Sequence, residues 1–200
     1  MKKQNILITL LLIIFIVITY FVITKQTIIF DKYFYENIIQ IRNNFFDVFF
    51  KSITKLGNTI IILIVVIILL LKLNKENREV LGINTIITVL INIVIKNIIK
   101  RPRPNILRLI KQSGYSYPSG HSMIAIATYG YLIYVVNKNI KNKSTRILLT
   151  IFLLFIILGI GISRIYLGVH YPSDVLGGYV LALLIEIIVI KTYKKNFKGE

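Results

Sequence analysis

The chain contains no cysteine, which excludes disulfide bonds and thiol chemistry and leaves its redox compartment open. Acidic residues are scarce, since 8 Asp and Glu stand against 25 Lys and Arg, for a formal net charge of +17. Such a basic balance can indicate nucleic-acid binding, but most cations here flank apolar segments, where anionic lipid surfaces attract them. The sequence therefore favours membrane lipids as partners and argues against nucleic acid.

Internal repeats and low-complexity linkers are also absent, and 200 residues leave room for a single domain, residues 1–200. The mean hydropathy of +0.74 is one that ordinary soluble domains do not approach. Several apolar runs reach or approach the roughly 18 residues that a membrane-spanning helix needs. We therefore predict an all-α, polytopic membrane helix bundle with six transmembrane helices, at residues 5–24, 57–73, 80–100, 119–137, 147–163 and 175–192.

The first apolar run follows a basic head, as the core of a secretory signal does. The stretch from Ile6 to Ile23 is too long for a signal core, and no small-residue cleavage site follows it. We interpret it as a retained first helix, with a removed signal peptide as the less favoured alternative.

Residues 31–58, between the first two spans, carry apolar side chains at three- and four-residue steps with polar residues between them. This spacing is typical of an amphipathic helix lying in the membrane interface, or of a helix that only covers the bundle. The apolar positions are Phe34, Ile38, Ile41, Phe45, Phe46, Phe49 and Phe50.

Six spans place both termini on one side of the membrane, and the loops after spans one, three and five on the other. Basic residues crowd into the short segments of the terminal side, so the positive-inside rule favours cytoplasmic termini. We expect a multi-pass protein of the bacterial cytoplasmic membrane, with the non-terminal loops outside the cytoplasm.

Three groups of unusual residues fall in those non-terminal segments. "KNIIKRPRP" holds Lys96 and Arg103, and its prolines disfavour helix at the residues before them, so the helix should end near Lys100. The other groups are "PSGH", residues 118–121, and "SRIYLGVHYPSD", residues 163–174. Topology brings all three to one membrane face, together with both histidines of the chain.

The convergence of lysine, arginine, histidine and aspartate predicts a pocket for a phosphoryl group. Arginines donate to phosphate oxygens in two-pronged fashion, and a helix N-terminus attracts anions. We expect the phosphate to be bound by Lys96, Arg103, Ser119, Gly120 and Arg164.

A phosphoryl pocket of this kind also needs groups that transfer the phosphate. A neutral imidazole can attack phosphorus if a carboxylate fixes its tautomer, and His170 with Asp174 four positions later fits that need. His121 would protonate the departing oxygen and later accept a proton from water. No metal-ligand pattern accompanies these residues, so we expect neither a metal nor another cofactor.

Taken together, these motifs resemble the three-part signature of the type 2 phosphatidic acid phosphatase superfamily. The matching residues are Lys96 with Arg103–Pro104, Pro118 to His121, and Ser163–Arg164 with His170 and Asp174. The resemblance implies a metal-independent phosphatase working through a phosphohistidine on His170 with His121 as the acid. It also implies lipid phosphates or diphosphates as substrates.

Other polar residues have simpler interpretations. Lys100, Arg101 and Arg108 are expected to be interfacial anchors. Arg164 could form a structural ion pair with Asp174 as well as bind phosphate. Glu186 lies inside the last span, where an acid needs a partner, and we expect one in Asn84, Asn92 or a facing backbone group.

The sequence thus predicts a lipid phosphatase acting on undecaprenyl diphosphate, phosphatidylglycerophosphate or phosphatidic acid, with a slight preference for the isoprenoid. Two alternatives stay open. One is a phosphotransferase that passes the phosphate to an acceptor other than water, and the other is a non-catalytic membrane protein that binds anionic lipids.

Overall fold

The computed structural model describes residues 2–105 and 107–198, and within these ranges the regular structure is entirely helical. Nine α-helices occur in the described part of the chain, with a 3-10 turn at Thr54–Gly57 and a π-helical turn at Ile126–Gly130. The helices are α1 Lys2–Ile23, α2 Ile28–Gln40, α3 Asn44–Ile53, α4 Thr59–Lys72, α5 Lys75–Ile99, α6 Gly120–Ala125, α7 Tyr131–Asn139, α8 Lys143–Tyr166 and α9 Pro172–Lys198.

Four of these helices, α1, α5, α8 and α9, are long and apolar enough to cross a membrane. A fifth span results if Asn44–Gly57 and Thr59–Lys72, which meet at a 52° bend, are counted as one. The predicted number of six is therefore not confirmed. At about 1.5 Å per residue the 14-residue α4 is shorter than a bilayer core is thick, and a π-helical turn interrupts the run 120–139.

Helix α9 lies at the centre of the bundle, and α1 lies at its edge. In the most apolar 18-residue stretch of α9, 61% of the residues are buried. In that of α1, which packs along α9, only 11% are buried. The outer faces of α1, α4, α5 and α8 expose many large apolar side chains. Such faces are stable only against lipid or another apolar partner, which agrees with a membrane protein.

Close packing between α8 and α9 depends on a glycine. The hydroxyl of Tyr179 on α9 lies against Gly161 and donates to the carbonyl oxygen of Ile157 at 2.6 Å. A Cβ added at Gly161 would overlap that hydroxyl. This contact brings the end of α8 close to the start of α9, and these two ends carry the motif at residues 163–174.

The single amphipathic helix predicted over residues 31–58 is two helices, α2 and α3. The break falls at Ile41–Asn43, and the side chain of Asn43 caps α3 by accepting from the backbone N–H of Phe46 at 3.0 Å. Phe50 packs in a buried cluster with Tyr166 of α8, so one face of α3 covers the bundle. The interfacial position of this segment stays a prediction.

Glu186 is buried in α9, but the expectation that Asn84 or Asn92 is its partner is wrong. Asn84 donates to the carbonyl oxygen of Ala127 at 3.1 Å, and Asn92 donates to that of Pro118 at 3.1 Å. Among the described residues, Oε2 of Glu186 has no hydrogen-bond partner. The π-helical turn next to it changes which backbone and side-chain groups face α9, and sequence periodicity does not reveal such a turn.

Candidate active site

The predicted site residues lie at one end of the bundle, on three segments. Helix α5 ends at Ile99, and Lys100 follows in the left-handed conformation with φ 51°, which confirms the helix end predicted near Lys100 and turns the chain towards the bundle. The backbone N–H of Ser119 donates to the carbonyl oxygen of Asp174 at 2.9 Å, which ties the start of α6 to the start of α9. The segments are the end of α5 with the loop after it, the N-terminus of α6, and the turn between α8 and α9.

His170 is 2% exposed and held from both ring nitrogens. Nε2 lies 2.8 Å from a terminal nitrogen of Arg103, and Nδ1 lies 3.3 Å from Oδ2 of Asp174. Because a guanidinium only donates, Nε2 must be the acceptor, and the proton of the neutral ring is then on Nδ1, facing the carboxylate. The lone pair of this imidazole therefore points towards Arg103 and away from Asp174.

The surroundings of His170 keep its imidazole neutral. The pKa of His170 is lowered from 6.5 to about 3, mainly by burial, and the charges of Arg103 and Arg164 act in the same direction. The hydrogen bond and the charge of Asp174 act in the opposite direction without reversing the shift. At neutral pH the ring is neutral, with one proton on Nδ1, and this is the form that can attack phosphorus.

Asp174 is fully buried and accepts hydrogen bonds on both carboxylate oxygens. Oδ1 accepts from Arg101 at 2.6 Å. Oδ2 accepts from the backbone N–H of Tyr171 at 2.8 Å, and from the hydroxyl of Ser116 as well as His170. The carboxylate is thus fixed in orientation and compensated in charge.

Arg164 does not pair with Asp174, so the alternative of a structural ion pair between them is wrong. One terminal nitrogen of Arg164 donates to the hydroxyl of Thr54 at 2.8 Å, and the other donates to Oε1 of Gln112 at 2.9 Å. Its Nε is buried and has no partner within the described ranges. Buried donors without a partner are costly, so Nε is a candidate donor to a bound anion.

The loop that precedes α6 holds the other two cations through its carbonyl groups. Nζ of Lys96 donates to the carbonyl oxygens of Tyr115 at 2.7 Å and Ser116 at 3.1 Å. Nε of Arg103 donates to the carbonyl oxygens of Gly114 at 2.9 Å and Ser113 at 3.2 Å. Burial lowers the pKa of Arg103 to about 10, so its guanidinium still carries its charge at neutral pH.

The residues of "PSGH" position the start of α6. Ser119 is fully buried, and its hydroxyl caps the helix by accepting from the N–H of Ser122 at 3.4 Å and its hydroxyl at 2.9 Å. A Cβ at Gly120 would lie 3.0 Å from Oδ1 of Asn92, so this position favours glycine for packing as well as for access to a ligand. Phosphate binding by Ser119 and Gly120 stays a prediction.

His121 lies within electrostatic reach of His170, Arg103 and Arg164, which places both histidines at one site. Its imidazole makes no hydrogen bond to the residues that the structure describes, and its ring packs against Gly57. A Cβ at Gly57 would lie 3.2 Å from Cδ2 of His121. The ring is therefore held by packing and keeps both nitrogens available for a ligand.

Comparison with known proteins identifies the family. The profile of the PAP2 superfamily matches residues 80–198, more than half of the chain. The chain belongs to the PAP2 superfamily. The matched region contains every predicted site residue, from Lys96 to Asp174, and the resemblance inferred from the motifs is confirmed.

Two curated relatives of this PAP2 protein carry the names of phosphatases. It is similar to phosphatidylglycerophosphatase B of Bacillus subtilis, with 41% identity over 102 residues that make up 50% of each chain. It is also similar to undecaprenyl-diphosphatase of Sulfolobus acidocaldarius, with 31% identity over 133 residues, 58% of this chain and 57% of that one. The chain thus spans about half the length of these curated relatives.

The fold of this PAP2 protein is that of a solved membrane phosphatase. A transmembrane PAP2-type phosphatidylglycerolphosphate phosphatase from Bacillus subtilis superposes with a TM-score of 0.86. The superposition covers 96% of this chain and 98% of that one, at 28% identity. LpxE of Aquifex aeolicus superposes with a TM-score of 0.65 over 79% of this chain and 93% of that one, at 26% identity.

The sequence did not reveal the contacts of Arg101 and Asp31 in the site. Arg101, expected to be an interfacial anchor, has a side chain only 12% exposed and forms ion pairs with Asp174 and with Asp31 of α2, both at 2.6 Å. The assignment of Arg101 as an anchor is therefore wrong, whereas Lys100 and Arg108 are exposed. No local pattern signals these pairs, because their members lie 70 and 73 residues apart.

The site contains no evident metal-binding group. In the ranges 2–105 and 107–198, no three His, Cys, Asp or Glu side chains come together as potential metal ligands. A cavity of about 830 Å³ opens beside the site, between α2, the ends of α1 and α5, and the loop after α5. Arg101, Asp31 and Tyr171 line this cavity, and neither histidine does.

Proposed function

We propose that this PAP2 protein is a membrane phosphohydrolase that removes the terminal phosphate from a lipid phosphate or diphosphate through a phosphohistidine on His170. The observation that carries the proposal is the state of that imidazole, which is neutral, has Nδ1 at Asp174 and has Nε2 beside Arg103. A neutral imidazole so oriented is a nucleophile, and neighbouring guanidinium groups can neutralise phosphoryl oxygens.

In the first half of the reaction, the lone pair on Nε2 of His170 forms a bond to phosphorus while the bond from phosphorus to the lipid oxygen breaks. Arg103 now occupies that lone pair, so its N–H groups must shift to the phosphoryl oxygens as the substrate binds. The negative charge of Asp174 stabilises the imidazolium that forms. His121, whose protonated form a bound phosphate favours, donates its proton to the departing oxygen.

In the second half, a water molecule attacks the phosphorus of the phosphohistidine. His121 accepts a proton from that water, the bond between phosphorus and nitrogen breaks, and inorganic phosphate leaves. His170 returns to its neutral form, with its proton on Nδ1. The free Nε of Arg164 and the third N–H of Lys96 supply donors to the phosphoryl oxygens in both halves.

The proposed substrates are amphiphiles that reach the site from the bilayer. The names of the relatives support phosphatidylglycerophosphate and undecaprenyl diphosphate as the first two to compare, with phosphatidic acid as the third. The slight preference for an isoprenoid diphosphate, drawn from a short chain with compact loops, stays a prediction. We further propose that the termini are cytoplasmic and that the site opens outside the cytoplasm.

The function is tested by phosphate release from these three lipids, with purified protein in detergent and EDTA present. Wild-type protein and the surface control Lys100→Gln should turn over at least one of them. His170→Asn should lose activity by about 10³-fold or more, since removing a nucleophile leaves only binding and electrostatic catalysis. Turnover that requires added metal, or full activity of His170→Asn, would contradict the mechanism.

The acceptor is tested with the same preparation. Hydrolysis should release phosphate at the same rate with or without added glycerol. If phosphorylated glycerol forms at the expense of inorganic phosphate, the protein is a phosphotransferase. If lipid binds without turnover and His121→Gln does not weaken that binding, the protein is a non-catalytic lipid-binding protein.

A further inference from the structure

Arg101 bridges two buried carboxylates that come from opposite parts of the chain. One terminal nitrogen donates to Oδ1 of Asp174 at 2.6 Å and to the hydroxyl of Ser173 at 2.8 Å. The other donates to Oδ2 of Asp31 at 2.6 Å and to the hydroxyl of Thr27 at 3.3 Å. Arginine suits this position because its planar fork can bind two carboxylates at once, which a lysine cannot do with the same geometry.

Asp31 holds the bridge from the other side. It is 2% exposed, and its Oδ1 accepts from the backbone N–H of Ser173 at 2.9 Å. Its Oδ2 accepts from the hydroxyl of Ser173 at 2.8 Å as well as from Arg101. Asp31 therefore fixes both the arginine and the first turn of α9, one residue before Asp174.

The guanidinium of Arg101 is also fixed by stacking. Its central carbon lies 4.2 Å from the centre of the Tyr171 ring, next to the nucleophilic histidine in sequence. Burial opposes the charge of Arg101, but the charge and hydrogen bonds of Asp174 and Asp31 raise the pKa of Arg101 above its ordinary value. The arginine is thus a permanent cation in a rigid position.

We propose that Arg101, anchored by Asp31, is a positioning residue for the phosphoryl transfer, and that it acts by fixing the orientation and charge of Asp174. This inference rests on the proposed function. With Oδ1 engaged by Arg101, the carboxylate presents Oδ2 to His170 and cannot rotate. Arg101 faces the side of Asp174 away from the histidine, so it supports the chemical step and makes no contact with the bound phosphate.

The cavity beside Arg101 makes the proposal testable by chemical rescue. Arg101 and Asp31 line this space of about 830 Å³, which the ends of α1 and α5 and the loop after α5 also border. In Arg101→Ala the volume of the lost side chain joins the cavity. A guanidinium ion from solution can then enter and bind between the two carboxylates.

The experiment measures kcat and KM with the best lipid substrate. Arg101→Ala removes the group that orients Asp174, so it should lower kcat by about 10- to 100-fold. KM should change by less than about threefold. Guanidinium chloride at about 20 mM should raise the kcat of Arg101→Ala about tenfold, because the ion binds where the side chain was lost. Tetramethylammonium, which cannot donate hydrogen bonds, should not raise it. His170→Asn should show no rescue.

Asp31→Asn provides an independent arm that keeps the size of the side chain. It should lower kcat by about 3- to 10-fold with KM unchanged, because Arg101 loses one of its two anchors. Lys100→Gln, the neighbouring exposed cation, should behave as wild type. Cooperative thermal unfolding of every variant above the assay temperature shows that the measured kcat belongs to folded protein, even where loss of a buried ion pair lowers stability.

Several results would overturn the proposal. They are an unchanged kcat in Arg101→Ala, a higher KM at constant kcat, which would make Arg101 a substrate contact, and failure of guanidinium to rescue. If Arg101→Ala does not fold, Arg101→Gln is judged by the kcat and KM criteria alone. Lack of activity in the wild-type protein would instead refute the proposed function, so the two failures are distinguishable.

Discussion

Asp174→Asn removes one negative charge from the site with almost no change in volume. The amide can orient in two ways. If its oxygen takes the place of Oδ2, its NH₂ group faces the N–H donors of Arg101. If its NH₂ group faces His170, the ring proton must move to Nε2, which blocks the nucleophile. Either orientation impairs the reaction.

The size of the effect follows from the distance between the two groups. Nδ1 of His170 lies 3.3 Å from Oδ2 of Asp174, and His170 becomes a cation as the bond to phosphorus forms. At an effective dielectric constant of about 20, unit charges at that separation attract by about 5 kcal/mol. Since each 1.36 kcal/mol of barrier is tenfold in rate, kcat should fall by about 10³- to 10⁴-fold.

The assay measures phosphate release from a short-chain lipid phosphate with EDTA present, over a range of substrate concentrations that separates kcat from KM. Asp47→Asn is a matched control, because Asp47 accepts from Tyr166 at 2.7 Å outside the proposed machinery, and its kcat should stay within about threefold of wild type. If Asp174→Asn folds like wild type and keeps more than about a tenth of its kcat, the electrostatic reasoning is refuted.

Three further predictions address protonation, packing and orientation. Because the pKa of His170 is lowered to about 3, kcat/KM corrected for substrate ionisation should not fall between pH 7 and 5. A decline with a midpoint near 6.5, the ordinary pKa of histidine, would contradict this. Gly161→Ala should destabilise the protein by about 1–3 kcal/mol, because the added methyl group overlaps the hydroxyl of Tyr179. Gly82→Ala, with open space around it, should stabilise the protein by up to about 1 kcal/mol. Thermal unfolding in one detergent compares the two, and equal shifts would refute the packing argument. In the cysteine-free chain, Lys111→Cys should react with a membrane-impermeant maleimide on intact cells and Lys141→Cys only after lysis, and the reverse pattern would invert the predicted sidedness.

That the three motif segments lie at one end of the bundle could be predicted from the sequence. Prolines 102 and 104 indicated the end of α5, and helix ends on one side of a bundle bring their loops together. His170 and Asp174 are four residues apart, so a single turn determines their contact. Their roles in catalysis stay predictions.

The ion pairs of Arg101 could not be predicted, because they depend on tertiary contacts between segments distant in sequence. Asp31 is one of few acids and looks like part of an amphipathic helix surface, yet it is buried against the start of α9. Arg101 looks like one more cation beside a membrane span. Nothing in the local spacing distinguishes it from Lys100, which is exposed.

The six predicted spans are not confirmed for a related reason. Hydropathy detects apolar runs but does not detect where a helix bends, shortens or changes its winding. The 3-10 turn and Asn58 separate α3 from the short α4, and the π-helical turn interrupts the run from Gly120 to Asn139. Such irregularities are set by packing against neighbouring helices.

The central claim is tested most directly by trapping the phosphoenzyme. Protein mixed with ³²P-labelled lipid phosphate is quenched in base within the first turnover, digested and mapped by mass spectrometry. The account predicts an acid-labile, base-stable label on the peptide that contains His170, and no label in His170→Asn. A label on another residue, or turnover in which single-turnover quenching detects no covalent intermediate, would contradict it.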